Sequence, residues 1–268
     1  MSVKAARSLD RTRLDAARSR LIVGLDVSTQ KEAEKLVDTL VGEVGMFKVG
    51  KQLFMRTGPS IVESVRKRGG DVFLDLKFHD IPRTVARASM EATRLGVRMF
   101  NVHASGSLEM MGLTVREVRK VCRLEGLRRP IMLAVTVLTS LSQDDLTRVG
   151  FRAGVKHQVV RLARLAKEAG MDGVVASAHE VEHIRAECGR RFTIVTPGVR
   201  PAGESWDDQK RVMTPADAIR AGSDYLVVVR PILNARDPVA AARAIVAEID
   251  GSLRAGRLRR LPRTGSDR

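Results

Sequence analysis

The chain has 268 residues, of which 44% are hydrophobic and 29% are charged. This composition allows one large domain or two small ones, and it excludes collagen, coiled coils and extensive disorder. No apolar run approaches the ~20 residues that a membrane span needs, and residues 1–20 lack the apolar stretch of a secretory signal. The two cysteines, Cys122 and Cys188, are too few for a disulfide framework, so we expect a cytoplasmic protein.

The net charge of +16 suggests a nucleic-acid partner, but its distribution argues against one. The segments 1–20 (+4) and 251–268 (+5) carry more than half of it. We interpret them as a basic N-terminal extension and a basic C-terminal tail, both solvated and flexible, around a single domain at 21–250. Because only 3% of the residues are aromatic, base stacking is scarce, and any nucleic-acid binding would be weak and confined to these tails.

The predicted elements alternate along the chain. A capping-box pattern at Thr29 and Glu32 predicts the start of one helix, and Pro59 and Pro82 suit the first positions of two others. Strands alternating with helices indicate an α/β fold of parallel βαβ units, and about eight such units favour a single-domain (β/α)8 TIM barrel over a doubly wound sheet. Short apolar runs predict the strands near residues 21–27, 46–50, 72–77, 99–103, 131–137, 173–177, 193–196 and 225–229.

Polar side chains gather where these predicted strands end. In a barrel, the carboxyl ends of the strands and the loops that follow them form the face on which active sites lie. We therefore expect a functional site there, built from residues at or just beyond the strand ends: Asp26, Lys48, Asp75, Lys77, His103, Thr139, Arg200 and Arg230.

The densest group of charges is the run DLKFHDIP at residues 75–82. Side chains alternate along a strand, so Asp75 and Lys77 are predicted to face the same side, with His79 acting as packing or loop support. Lys48 ends the neighbouring strand and could add a fourth charge. Two positive and two negative side chains that alternate in sign would then neutralise one another: Lys48, Asp75, Lys77 and Asp80. An ordinary ion-pair network closing the barrel is the alternative, because such networks are common without catalysis.

The run DLKFHDIPRTV (75–85) resembles the signature of the orotidine 5′-phosphate decarboxylases. The resemblance spans nearly all of residues 20–235 and excludes the basic tails. It implies a cofactor-independent and metal-independent decarboxylation of orotidine 5′-phosphate to uridine 5′-phosphate and CO2, the last step of pyrimidine biosynthesis, by a homodimeric TIM barrel. Further motifs follow in the family's order: LDV (25–27), FKVGKQLF (47–54), NVHASG (101–106), AVTVLTSL (134–141), VTPGVRPAG (195–203), RVMTPADAI (211–219) and VVRPI (228–232).

The resemblance also implies roles for the charged residues. Lys77 would be the proton donor, and Asp75 would press against the carboxylate of the substrate. Lys48 would pair with its neighbours and with ribose hydroxyls, and Asp26 would bind the ribose. Asp80 would cross the dimer interface into the site of the partner subunit.

Further residues would bind the rest of the substrate. The resemblance implies that Thr139 lies beside the pyrimidine, that Gln209 and Arg230 hold the phosphate, and that Arg200 and Thr84 are further binding residues. The segment 197–209 contains glycines and prolines and is predicted to be a lid.

Position 229 departs from the family's pattern, which has Gly before the last arginine. This chain has Val229, and a β-branched residue disfavours a positive φ and adds bulk. We expect the backbone N–H of Val229 to remain able to bind the phosphate if φ there is negative. An impaired site that binds nucleotide without turnover is otherwise an alternative.

Three other functions are weaker interpretations of the same sequence. A Mg2+-dependent phosphosugar aldolase or decarboxylase of the same superfamily would share the Asp-x-Lys-x-x-Asp pattern. A non-catalytic basic protein would use its tails to bind nucleic acid. The run from His179 to His183 matches the zinc-protease pattern H-E-x-x-H, but no further zinc-protease feature follows, and we favour a solvated helical turn.

Overall fold

The computed structural model describes residues 12–201 and 213–258. Its eight parallel strands close into a barrel in chain order, which confirms the predicted TIM-barrel architecture. No helix of the described residues is long and apolar enough to cross a membrane. The strands are β1 (Leu21–Gly24), β2 (Met46–Gly50), β3 (Val72–Phe78), β4 (Met99–His103), β5 (Ile131–Val135), β6 (Gly173–Val175), β7 (Thr193–Pro197) and β8 (Tyr225–Val228).

Helices connect the strands and cover the outside of the barrel. Short 3-10 turns at Ala104–Gly106 and Ala178–Glu180 follow β4 and β6. The helices are α1 (Gln30–Leu40), α2 (Lys51–Thr57), α3 (Ser60–Lys67), α4 (Pro82–Arg94), α5 (Leu108–Glu125), α6 (Gln143–Arg148), α7 (Val155–Glu168), α8 (Val181–Cys188), α9 (Pro215–Ala221), α10 (Arg230–Leu233) and α11 (Pro238–Leu258).

Local sequence signals explain several of these helix starts. Thr29 accepts a hydrogen bond from the backbone N–H of Glu32 at 3.2 Å, and Glu32 accepts one from the backbone N–H of Thr29 at 2.9 Å, so the predicted capping box is present. These hydrogen bonds with Thr29 lower the pKa of Glu32. Pro82 occupies the first turn of α4 as predicted, whereas Pro59 precedes α3 as its cap residue.

The apolar core has two parts separated by the sheet. Every second residue along the strands points outward to the helices, and Leu74 and the partly buried Leu76 do so as predicted. The inward-facing set fills the barrel and consists of Ile22, Met46, Phe73, Met99, Leu133, Val135, Val175, Val195 and Val227. Two residues further along β2, β3 and β4, the same inward face carries Lys48, Asp75 and Asn101, so a polar layer lies directly above an apolar one.

Part of the basic N-terminal segment packs on the barrel. Residues 12–18 are helical, and Ala17 is completely buried. Arg13 donates to Asp250 of α11 at 3.2 Å. The expectation of a wholly solvated segment 1–20 therefore does not hold for residues 12–20, while the division of the chain at residues 20 and 250 stays a prediction.

Candidate active site

The charged array lies at the carboxyl ends of β1, β2 and β3. The Nζ atom of Lys77 donates to Oδ1 of Asp75 at 2.7 Å, and Nζ of Lys48 lies 3.8 Å from the other oxygen, Oδ2. Lys48 also donates to Oδ1 of Asp26 at 2.9 Å. The four charges alternate in sign from Asp26 to Lys77, which is how charges that are partly withdrawn from water are stabilised.

Burial differs along this array. The side chains of Lys48 and Asp75 are 10% and 13% exposed, whereas those of Lys77 and Asp26 are 25% and 47% exposed. A smaller cavity of about 250 Å³ opens beside these four residues. All four groups border the cavity, and the two outer ones are the more exposed to it.

The backbone of β3 is irregular at the lysine. Lys77 has a φ of 52°, one of two positive values at non-glycine residues in the described chain, and the pairing of β3 with β4 shifts between Leu74 and Phe78. A bulge of this kind re-aims a side chain. Simple alternation correctly predicted that Asp75 and Lys77 meet, but it did not predict this bulge.

Asn101 of β4 is a site residue that our assignment of roles missed. Its Oδ1 accepts from the backbone N–H of Lys77 at 2.8 Å, and its Nδ2 donates to Oδ1 of Asp75 at 2.7 Å. The side chain is completely buried. The signal that could have found it is the inward face of β4, where Asn101 follows Met99 by two residues and precedes His103 by two.

His103 lies at the end of β4, beside His79. The ring centroids are 5.2 Å apart. Burial, followed by the positive charges of His79, Lys51 and Lys77, lowers the pKa of His103 to about 4. His103 is therefore neutral near pH 7, so it adds no further positive charge beside Lys77.

A larger cavity of about 800 Å³ adjoins the array. Asp26 borders both cavities. Thr139, Arg200, Val229 and Arg230 all line the larger one. The structure thus brings these four predicted binding residues to one cavity, and Arg230 begins α10 directly after β8, a common place for phosphate in barrels.

Two features of the larger cavity suit an anion. Arg200 is only 8% exposed, and its Nη1 has no hydrogen-bond partner among the described residues. A buried guanidinium nitrogen without a partner is costly, and a phosphate oxygen would satisfy it. Val229 has a φ of −126°, so it carries no left-handed strain. Gln209 and most of the predicted lid lie outside the described residues.

Asp80 and Thr84 stand apart from the array in one protomer. Asp80 is exposed and accepts from the backbone N–H of Ile81 at 2.6 Å, with no cation of the described chain within ion-pair distance. Thr84 is exposed in the first turn of α4. The expectation that Asp80 balances Lys77 within the chain is therefore wrong, and Asp26 is the fourth charge instead.

The H-E-x-x-H run is not arranged as a metal site. His179 borders the larger cavity, whereas Nδ1 of His183 is buried and has no hydrogen-bond partner in the described part of the chain. Within residues 12–201 and 213–258, no group of three or more His, Cys, Asp or Glu side chains is placed to hold a metal ion.

Comparison with known proteins decides between the families that share this array. A sequence profile described as the orotidine 5′-phosphate decarboxylase / HUMPS family matches residues 19–245. The chain belongs to this family.

Relatives within the orotidine 5′-phosphate decarboxylase / HUMPS family point to the decarboxylases. The chain is 55% identical to the orotidine 5′-phosphate decarboxylases of Geotalea daltonii and Geobacter sulfurreducens, over 88% of its own length and 98% of theirs. It is 36% identical to the solved structure of the Lactobacillus acidophilus enzyme of that name, with a TM-score of 0.76 over 85% of this chain and 98% of the other. These relatives do not support the phosphosugar or nucleic-acid alternatives.

Proposed function

We propose that this chain converts orotidine 5′-phosphate to uridine 5′-phosphate and CO2 without a cofactor, with Lys77 as the proton donor. One observation carries the proposal: an ammonium group held by Asp75 at 2.7 Å borders a cavity that shares Asp26 with a second, arginine-lined cavity. The first can take the reacting ring and the second the phosphate. We place the enzyme in the cytoplasm, in keeping with two free, buried cysteines.

The chemistry needs a fixed positive charge beside C6 of the pyrimidine. When the bond from C6 to the carboxylate breaks, CO2 leaves and the electron pair stays on C6, in the plane of the ring, where the ring carbonyls cannot delocalise it. An ammonium held at this atom stabilises the developing carbanion by electrostatics. Lys77 then gives its proton to C6, forming uridine 5′-phosphate, and regains a proton from water.

Asp75 has two roles in this proposal. Its Oδ1 fixes the amine of Lys77, and its negative charge lies where the carboxylate of the substrate would be bound. Repulsion between the two carboxylates favours departure of CO2, although fixed positive charge remains the larger contribution. Lys48 lies 3.8 Å from Asp75, so a second cation of the chain lies beside that carboxylate.

The remaining residues bind the substrate away from C6. Asp26 borders both cavities and in this proposal binds the ribose between them. Thr139 lines the larger cavity, and in this proposal it contacts the pyrimidine from that side. Arg230 and Arg200 supply charge-assisted hydrogen bonds for the phosphate, joined by Gln209 of the segment 202–212. Binding energy at the phosphate holds the ring against the array.

Asp80 and Thr84 act in this proposal across a homodimer interface. The intervening Ile81 is 66% exposed, which is unusual for a large apolar side chain and is explained if a second subunit covers it. Asp80 would then approach Lys77 of the partner subunit and supply the charge that one protomer lacks.

A mixture of two inactive variants tests this exchange. In a hybrid dimer of Lys77→Ala with Asp80→Ala, one site keeps both an intact lysine and an intact partner aspartate. Random mixing should therefore restore about one quarter of the wild-type sites. No recovery in mixed dimers confirmed by mass spectrometry would refute the exchange of Asp80.

The activity itself is tested by following the loss of orotidine 5′-phosphate absorbance. We expect turnover by the wild type that EDTA leaves unchanged, and no measurable turnover by Lys77→Ala, which should still bind uridine 5′-phosphate in calorimetry. Activity that EDTA abolishes, or that Lys77→Ala retains, would contradict the proposal.

A further inference from the structure

Asn101 connects the two groups that the proposed reaction depends on most. Its amide oxygen accepts from the backbone N–H of Lys77, and its amide nitrogen donates to the same Asp75 oxygen that receives the ammonium of Lys77. The three residues form a closed ring of hydrogen bonds at 2.7, 2.7 and 2.8 Å. No other side chain of the described residues forms hydrogen bonds with both the backbone of Lys77 and the carboxylate of Asp75.

The orientation of this amide is fixed by the chemistry of its neighbours. A peptide N–H can only donate, and a carboxylate can only accept, so the oxygen of Asn101 must face Lys77 and its nitrogen must face Asp75. An ionised carboxylate at position 101 could only accept, and an apolar group could do neither, so neither of them provides both contacts.

The contact to Lys77 falls where the backbone is strained. Lys77 has a φ of 52°, a left-handed conformation that is unfavourable for residues other than glycine. The bulge that results removes Lys77 from the regular pairing of β3 with β4. The backbone N–H of Lys77 therefore depends on the side chain of Asn101 for its hydrogen bond.

We propose that Asn101 is a positioning residue, which holds Lys77 in this strained conformation and keeps the carboxylate of Asp75 turned toward the ammonium. Without it, the bulge can relax, and the amine moves away from the cavity while the carboxylate rotates. A displacement of about 1 Å in such a group can cost about 100-fold in rate. This inference rests on the proposed decarboxylation.

The first test replaces Asn101 with an apolar residue of similar size. We expect Asn101→Leu to lower kcat by about 100-fold, with KM and the calorimetric affinity for uridine 5′-phosphate unchanged within experimental scatter, because the phosphate cavity is lined by other elements. A kcat near that of the wild type would overturn the proposal, as would equal losses of kcat and of nucleotide affinity.

A second variant keeps one contact and makes the other depend on pH. In Asn101→Asp, one oxygen of the new carboxylate still accepts from the backbone N–H of Lys77. The other oxygen lies against the carboxylate of Asp75, and the ammonium groups of Lys48 and Lys77 lie beside the pair. Two carboxylates this close share one proton at a raised pKa. The protonated form again donates and accepts as asparagine does.

The sign of the pH effect follows from that protonation. Relative to the wild type, the kcat of Asn101→Asp should rise by about tenfold as the pH falls from about 8 to about 6. A ratio that does not change with pH would count against the proposal, because a purely structural defect does not require a proton at this position.

Controls separate this inference from a folding defect and from the function itself. Thr114 is also fully buried, and its hydroxyl has no partner among the described residues, so Thr114→Val should leave kcat and the melting temperature unchanged. Hydrogen exchange of the Lys77 backbone amide should accelerate in Asn101→Leu but not in Thr114→Val. An inactive wild type would refute the decarboxylase, whereas an unchanged exchange rate in Asn101→Leu would refute the role of Asn101.

Discussion

The reactive half of the site and the phosphate half are built in opposite ways. The four charges of the array around Lys77 pair with one another at or directly after the barrel strands, and a buried amide fixes the geometry. In the larger cavity, Arg200 has a buried nitrogen for which the described residues supply no partner, and Arg230 is exposed. The charges of the first region are paired within the chain, whereas the second presents positive charge that the described residues do not pair.

This difference assigns distinct tasks to the two regions. Preorganised charges stabilise a transition state because they need not rearrange during the reaction. Unsatisfied cations instead gain most when a phosphate binds, and that gain can be used to hold the ring in place. Substitutions in the first region should therefore change kcat, and substitutions in the second should change KM.

The largest effect is expected for Asp75→Ala. Removing this carboxylate leaves the ammonium of Lys77 without its 2.7 Å partner and leaves Lys48 with Asp26 alone. We expect kcat to fall by about 1,000-fold or more, with a much smaller change in KM, measured by the absorbance assay. If Asp75→Ala loses nucleotide affinity but keeps its kcat, the assignment of kcat to the first region and of KM to the second is wrong.

Arg200→Ala should show the opposite pattern. A charge-assisted hydrogen bond to phosphate contributes about 1.5–3 kcal/mol, so we expect KM to rise by roughly 10- to 100-fold and kcat to change less. Arg236→Ala removes an exposed arginine outside both cavities and serves as the matched control. If both variants raise KM equally, the effect reflects overall charge rather than the cavity.

The sequence predicted the barrel and its charged rim better than the contacts within them. Strands were located to within a few residues because apolar runs and turn residues are local signals. Alternation along β4 predicts that Asn101 faces inward, but the bulge at Lys77 and the hydrogen bond across to Asn101 depend on how β3 meets β4, which no local pattern records. Asp26 replaced Asp80 in the array for the same reason, since partners were inferred from proximity in sequence.

Val229 and Gly24 form a pair that sharpens the description of the phosphate half. A Cβ atom at Gly24 would lie 2.6 Å from Cγ2 of Val229, so the glycine makes room for the valine. Gly24→Ala should destabilise the fold by about 1–3 kcal/mol through overpacking, as measured by denaturant unfolding. The double variant Gly24→Ala/Val229→Gly should recover most of that loss in unfolding free energy. If the effects of the two single substitutions simply add, the contact is refuted.

Val229→Gly alone tests the departure from the family's pattern. Its φ of −126° lies outside the left-handed region, so the position does not require glycine. We expect the glycine variant to change KM by a few-fold, on the order of 1 kcal/mol or less, and kcat less than KM. A large loss of kcat at constant KM would contradict this assignment of position 229 to substrate binding.

The smallest effect concerns the pH dependence of stability at His103. Burial, with help from the charges of His79, Lys51 and Lys77, lowers its pKa to about 4, below the value of about 6.5 in an unfolded chain. Between these values the unfolded state binds the extra proton, so stability should decline as the pH falls from about 6.5 toward about 4. Solvent screening of this partly exposed ring limits the loss to about 1 kcal/mol. His103→Gln should flatten that part of the unfolding free-energy profile, and an unchanged slope would show that other groups cause it.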